Sequence, residues 1–100
     1  MLTLTERHDA LQRVGRALAD PGRCNILVAL LEGPAYPGEL AARLGLSRSN
    51  MSNHLACLRG CGLVTATAEG RQIRYEMADT NLAHAIHDLV DVVLSSDCVH

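Results

Sequence analysis

The sequence predicts a mainly α-helical fold with one β-hairpin, with its elements in the order α-α-α-α-β-β-α. Two patterns support this prediction. Apolar residues recur at helical spacing in five segments, and two β-rich runs, LVTATA and RQIRYEM, flank a turn expected at Glu69-Gly70. The 100 residues contain no internal repeat, low-complexity tract or long linker. We therefore expect one domain that covers residues 1–100.

The first two helices are separated by an Asp-Pro pair. The segment ERHDALQRVGRALAD has apolar residues at helical spacing, and Asp20-Pro21 marks its end. The next segment, PGRCNILVALLEG, has Pro21 in its first turn and Gly33 as its stop. Cys24 falls on the apolar stripe of this second helix.

Three further helices are predicted from their end signals. The segment YPGELAARLG ends at Gly45, a residue type that commonly follows helices. Ser47 is a good N-cap for a fourth helix, which runs from about Arg48 to Arg59 or Gly60. After the hairpin, Asp79 caps a last helix with the sequence TNLAHAIHDLVDVVLSS.

The composition favours a homodimer. Hydrophobic residues make up 48% of the chain, yet it has no Phe, no Trp and two Tyr, so the core must consist of Leu, Val, Ala and Ile. A surplus of small aliphatic residues in so short a chain suggests that a second subunit completes the core, through the first and last helices. The net charge of −2 means that any DNA-binding surface must concentrate its basic residues on one face.

The chain is expected to be cytoplasmic, without a membrane partner. Its start, MLTLTERHDA, becomes charged within a few residues, unlike a signal peptide. The longest apolar run, ILVALL, is too short to span a bilayer. In that compartment the four cysteines are expected to be thiols, metal ligands or core residues rather than disulfides.

The third and fourth helices match the helix-turn-helix pattern. A short helix, a Gly-Leu-Ser turn and a helix that opens with small polar residues are typical of this motif, and the hairpin that follows would be a wing. The second helix of such a motif enters the major groove of DNA by its N-terminal end. The candidate DNA contacts are the residues at that end and two arginines of the hairpin: Ser47, Arg48, Ser49, Asn50, Ser52, Asn53, Arg71 and Arg74. The alternative is that the polar residues only cap the helix.

Three segments resemble one known family over nearly the whole chain. The segments LADPGRCNILVALL, YPGELAARLGLSRSNMSNHLACLRGCGLV and GRQIRYEMAD are similar to the ArsR/SmtB family of winged-helix metal-sensing repressors. The resemblance implies a homodimeric repressor that binds double-stranded operator DNA when metal-free. His54 could be a nitrogen ligand, since it precedes Cys57 by three residues, but the resemblance favours a position near the DNA backbone.

Within this family, the cysteine pattern resembles that of the members that respond to cadmium and lead. Those members use two cysteines of the recognition helix and a third from the C-terminal region of the other subunit. By position, the resemblance assigns Cys57, Cys61 and Cys98 as metal ligands. The implied effector is Cd²⁺ or Pb²⁺, or alternatively Zn²⁺ or another thiophilic ion, with no organic cofactor.

The spacing of Cys57 and Cys61 is compatible with this role. Residues four apart lie on one helical face, so both thiols can share an ion, whereas a disulfide between them is geometrically poor. Thiolates select soft ions, and a third ligand must come from elsewhere, such as Cys98 in the tail. The pair could instead be small hydrophobic residues that fill space, or thiols that oxidise in a redox-sensing repressor of the same fold.

Other ligand sets are weaker. For Cys24, packing in the core is favoured over metal ligation. A secondary metal site could also form on the last helix, but a solvated helix face is favoured for its four candidate ligands, His84, His87, Asp88 and Asp91. The family's arsenic site is absent because YPGELAARL has no cysteine, and its zinc site is absent because only Asp79 matches. The lack of Cys-x-x-Cys, of a Ser/His/Asp set and of a glycine-rich phosphate loop argues against an enzyme.

Overall fold

The predicted order of elements is confirmed by a computed structural model, which describes residues 1–95. Five helices and one antiparallel hairpin follow one another in the predicted order. Their bounds are α1 Leu4–Ala19, α2 Pro21–Leu30, α3 Pro37–Leu44, α4 Arg48–Gly60, β1 Val64–Glu69, β2 Gln72–Met77 and α5 Thr80–Ser95.

Side-chain caps explain where the first two helices begin. The hydroxyl of Thr3 accepts a hydrogen bond from the backbone N–H of Glu6 at 3.0 Å, and the Glu6 carboxylate accepts one from the N–H of Thr3 at 3.4 Å. This capping box starts α1 earlier than the apolar spacing predicted. Asp20 caps α2 by accepting a hydrogen bond from the N–H of Arg23 at 3.0 Å, directly before Pro21.

The hairpin turn lies one residue later than expected. Glu69 is the last residue of β1 and pairs with Gln72, so the turn consists of Gly70 and Arg71. Gly70 has a φ of 61°, a left-handed conformation that glycine adopts without strain. The prediction had placed Glu69 in the turn. Its side chain instead projects from a strand end, which determines its partners below.

The core lies between α2, α3, α4 and the first residue of β1. Its fully buried side chains are aliphatic, as predicted, with one methionine added: Ile26, Leu27, Leu40, Met51, Leu55, Leu58 and Val64. Three of them come from α4, so this helix is anchored through one apolar face. The opposite face of α4 is left exposed.

The outer helices α1 and α5 expose apolar side chains. Leu11 is 73% exposed, Leu89 56% and Val93 63%. Four more residues of α1 and α5 that we expect at or beside the subunit interface also pack within the protomer: Val14, Leu18 and Leu82 contact the core and Ile86 is buried. None of the helices within residues 1–95 combines the length and the apolar character needed to cross a membrane.

Candidate functional site

The start of α4 presents a polar surface. Ser47 caps the helix by accepting a hydrogen bond from the N–H of Asn50 at 3.1 Å, and Met51 anchors it in the core. The predicted DNA contacts of this segment are all exposed, namely Ser47, Arg48, Ser49, Asn50, Ser52 and Asn53. The first turn contains no acidic residue, so the partial positive charge at the helix N-terminus is unopposed there.

A groove separates the start of α4 from the wing. Its volume is about 490 Å³, and Arg48 of α4 and Arg71 of the hairpin turn both line it. Tyr36 and Pro37, at the start of α3, form another part of its wall. Two cations from separate elements therefore meet at one concave surface, an arrangement suited to a phosphate backbone.

Arg74 has different surroundings from Arg71. It lies within β2, opposite Thr67, rather than at the tip of the wing. Its guanidinium is 3.4 Å from a carboxylate oxygen of Glu69 and 3.9 Å from one of Glu76. These two carboxylates would compete with phosphate for Arg74, and the phosphate contact expected of it stays a prediction. The sequence shows the charge of Arg74 but not these partners.

Glu69 joins the wing to the start of α3. The hydroxyl of Tyr36 donates a hydrogen bond to Glu69 at 2.6 Å, and this bond raises the pKa of Tyr36 above its usual value because Glu69 is negatively charged. Two backbone hydrogen bonds between Ala35 and Tyr75, of 2.9 and 2.8 Å, bind the same segments together. Sequence analysis missed Tyr36 and Glu69 because nothing local links them.

His54 faces the start of α2 within the protomer. Its Nδ1 is 3.8 Å from a carboxylate oxygen of Asp20, and its ring covers Gly22 at the start of α2. The pKa of Asp20 is lowered, chiefly by the hydrogen bond from the N–H of Arg23 and further by the charges of Arg23 and His54. His54 thus makes a contact between α4 and the α1–α2 junction, and its expected position near the DNA backbone stays a prediction.

Two of the three predicted metal-binding cysteines share the C-terminal part of α4. Cys57 is exposed, while Cys61 is half-buried, contacts the core and forms the C-cap of the helix. Both are free thiols, and the N–H of Cys61 donates to the carbonyl oxygen of Cys57 at 3.0 Å. Cys98 lies outside the described residues.

These thiols have the chemistry expected of one part of a soft-metal site. Within residues 1–95, no group of three or more His, Cys, Asp and Glu side chains is arranged to hold a metal ion. Two accessible sulfur donors on one helix fit a thiophilic ion as an incomplete ligand set. They do not fit Mg²⁺ or Ca²⁺, which need several oxygen ligands.

The secondary metal candidates receive little support. His84, His87, Asp88 and Asp91 are all exposed along α5, as a solvated helix face would be. Cys24 is half-buried on α2, and the core packing favoured for it over metal ligation stays a prediction.

Comparison with known proteins gives consistent matches. Residues 20–66 match the family described as "Bacterial regulatory protein, arsR family". The HTH-type transcriptional regulator CmtR of Mycobacterium tuberculosis is 68% identical over 97 residues, which are 97% of this chain and 82% of that protein.

Solved structures agree with the sequence matches. The NMR structure of the cadmium metal-sensor CmtR from Mycobacterium tuberculosis has a TM-score of 0.70 and 66% identity, and the match covers 89% of this chain and 97% of that one. The homodimeric winged helix-turn-helix domain of Mb0332 from Mycobacterium bovis has a TM-score of 0.78 and 30% identity, and covers 92% and 88% of the two chains. The winged helix-turn-helix prediction is thereby confirmed.

Proposed function

This chain belongs to the ArsR family of bacterial regulatory proteins, and from that premise we propose that it is a metal-responsive transcriptional repressor. The metal-free homodimer binds operator DNA, and a soft heavy-metal ion bound through cysteine thiolates releases it. One observation carries this proposal: the two thiols and the polar DNA-facing residues lie on the same helix, α4. Membership in a family of regulators agrees with the expectation that the chain is not an enzyme.

DNA binding is supported by the exposed start of α4. Arg48, Asn50 and Asn53 offer hydrogen-bond donors and acceptors that suit base edges in the major groove. Arg71, across the groove from Arg48, supplies a cation for the phosphate backbone. Because operator DNA is in the cytoplasm of a bacterial cell, we propose that compartment as the site of action.

A homodimer is supported by the exposed apolar side chains of α1 and α5. Leu11, Leu89 and Val93 are each more than half exposed in the single protomer. A second copy would remove this apolar surface from water. The similar domain from Mycobacterium bovis is homodimeric. A twofold dimer would also place two α4 helices to bind half-sites about one turn of DNA apart.

The effector is proposed to be Cd²⁺ or Pb²⁺. When bound, such an ion would supply strong bonds to thiolate, for which soft ions are selective. Cys57 is exposed and able to receive the ion, and Cys61 lies four residues along on the same helix. Cys98, in the tail, is proposed as the third ligand. The description of the CmtR structure as a cadmium metal-sensor favours cadmium as the first ion to test.

The position of the two thiols on α4 explains how metal binding would release the operator DNA. Cys61 is both the C-cap of α4 and a contact to the core, so a change in its side-chain geometry alters how the helix ends. Cys57 and Cys61, once held at one geometry, would shift α4 away from the orientation that fits successive major grooves. Thermodynamic linkage then requires that DNA weakens metal binding by the same factor by which metal weakens DNA binding.

Metal-driven release of operator from cysteine variants tests this proposal. We expect Cys57→Ser and Cys61→Ser to bind a labelled duplex of the region upstream of the gene, but to lose release by Cd²⁺. Serine is nearly the size of cysteine, yet it is a poor ligand for soft ions. Fluorescence anisotropy reports the DNA, and thiolate-to-metal charge-transfer absorption reports the metal.

Two further variants complete the experiment. Cys98→Ser is expected to weaken the response and to leave binding by the two thiolates of α4. Cys24→Ser is the matched control, because it removes a thiol outside the proposed site. Normal release by Cys57→Ser or Cys61→Ser would contradict the proposal. The sensor would then have to be sought among His84, His87, Asp88 and Asp91. Release by oxidant without metal would favour the redox-sensing alternative.

A further inference from the structure

The imidazole of His54 lies over Gly22 at the start of α2 and leaves no room there for a side chain. A β-carbon added to Gly22 would lie 2.5 Å from Nε2 and 2.9 Å from Cδ2 of His54. The imidazole therefore occupies the space that any larger residue would need at that position. Its side chain is 21% exposed, and that of its ion-pair partner Asp20 is 35% exposed.

Asp20 and Arg23 connect this contact to the end of α1. Asp20 accepts a hydrogen bond from the N–H of Arg23 at 3.0 Å while it faces His54. The guanidinium of Arg23 in turn donates to the carbonyl oxygens of Ala17 at 3.3 Å and Arg16 at 2.9 Å, in the last turn of α1. The C-terminus of α1, the N-terminus of α2 and the middle of α4 thus meet in one polar junction.

The other contacts that hold α4 in the protomer are apolar and do not fix its orientation as closely. Met51, Leu55 and Leu58 bury α4 through apolar contacts, which tolerate small rotations and shifts. The His54–Asp20 contact depends on a defined position of one side chain above Gly22. Since α1 exposes apolar side chains such as Leu11, the junction relates the DNA-reading helix to the expected dimer interface.

We propose that His54 is a positioning residue that transmits metal binding at Cys57 and Cys61 to the α1–α2 junction and so to the dimer. The proposal rests on the proposed function and names the route of its regulation. His54 and Cys57 are three residues apart on α4, so they are neighbours on the helix surface. A shift of the C-terminal half of α4 would displace His54 from Asp20 and Gly22, and α4 would lose its defined orientation to α1.

Two substitutions break the contact from opposite sides. His54→Gln removes the imidazole, and Gly22→Ala displaces it, because the new β-carbon would overlap the ring. Gly38→Ala is a matched control, since Gly38 also follows a proline at a helix start and a β-carbon there meets nothing within 4 Å. Asp20→Asn keeps an N-cap acceptor for α2 while it removes the charge opposite His54.

The measured quantity is the ratio of operator affinity without Cd²⁺ to affinity with saturating Cd²⁺. We expect His54→Gln, Gly22→Ala and Asp20→Asn to reduce this ratio at least about fivefold, the lower end of typical allosteric couplings, whatever their effect on metal-free affinity. Gly38→Ala is expected to keep the wild-type ratio. A purely structural role would change affinity or thermal stability but leave the ratio in place.

The outcomes distinguish this inference from the proposed function. If the unaltered protein releases DNA with Cd²⁺ and folded His54→Gln shows the same ratio, the inference is wrong and the proposed function stands. If the unaltered protein does not release DNA with Cd²⁺, the proposed function fails, and the inference fails with it. Should His54→Gln not fold, the ratios of Gly22→Ala and Asp20→Asn decide in the same way.

Discussion

Arg71 and Arg74 both belong to the wing, but the structure predicts different effects on DNA binding. Arg71 is exposed in the two-residue turn and lines the groove beside α4. Arg74 lies 3.4 Å from Glu69 and 3.9 Å from Glu76, and the hydroxyl of Tyr36 shares the Glu69 carboxylate. We therefore expect Arg71, rather than Arg74, to neutralise a phosphate. Arg74 instead helps to hold the wing.

The magnitude follows from counterion release. Each phosphate that a protein cation neutralises contributes about 0.9 to the slope of log affinity against log salt concentration on B-DNA. A homodimer carries two copies of Arg71, so Arg71→Ala should lower that slope by about 1.8. Arg74→Ala should change the slope by less than about 0.5, because its charge is already offset by two carboxylates. It should still weaken binding by loosening the wing.

The assay is operator affinity measured by anisotropy at several salt concentrations from about 50 to 200 mM, the range in which such slopes are resolved. Arg43→Ala is the matched control, since Arg43 is paired with Glu32 at 2.7 Å and its loss should leave the slope unchanged. An equal fall in slope for Arg71→Ala and Arg74→Ala would refute the reasoning. So would an unchanged slope for Arg71→Ala.

The remaining predictions concern the dimer and the cysteine of α2. Replacing Leu89 or Val93 by Asp should yield a folded or partly folded monomer without operator binding. Each is more than half exposed in the protomer, and its burial by a partner would contribute about 1.5–3 kcal/mol. Sedimentation measures the oligomeric state of each variant. If the unaltered protein is itself a monomer at working concentrations, the predicted dimer interface is wrong. Cys24→Ser should lower the free energy of unfolding by about 1 kcal/mol, typical of a half-buried site, while metal-driven release stays normal. Thermal unfolding measures the change in stability, and the operator-release assay measures the response to metal. If Cys24→Ser loses metal-driven release of operator DNA, Cys24 is a metal ligand.

The features that the sequence determined by itself are local. Asp20, Ser47 and Gly45 delimit helices because a cap acts on backbone groups within one turn of its own position. The placement of Cys57 and Cys61 on one helical face is equally local, because it depends only on the helical repeat. These predictions needed no knowledge of how the elements pack. The start of α1 lies earlier than the apolar spacing predicts, because the capping box of Thr3 and Glu6 begins the helix there.

The tertiary structure alone decided which side chains became partners. Tyr36 and Glu69 are 33 residues apart in the chain, and His54 reaches Asp20 from a separate helix. The sequence shows the residue types of Arg74 and His54, but their neighbours depend on the positions at which α2, α4 and the wing meet in the fold. Those positions are set by non-directional apolar packing around the core, which no short segment encodes. The sequence therefore does not show which charged residues have a partner of opposite charge and which remain available for DNA. The packing of the folded chain decides this.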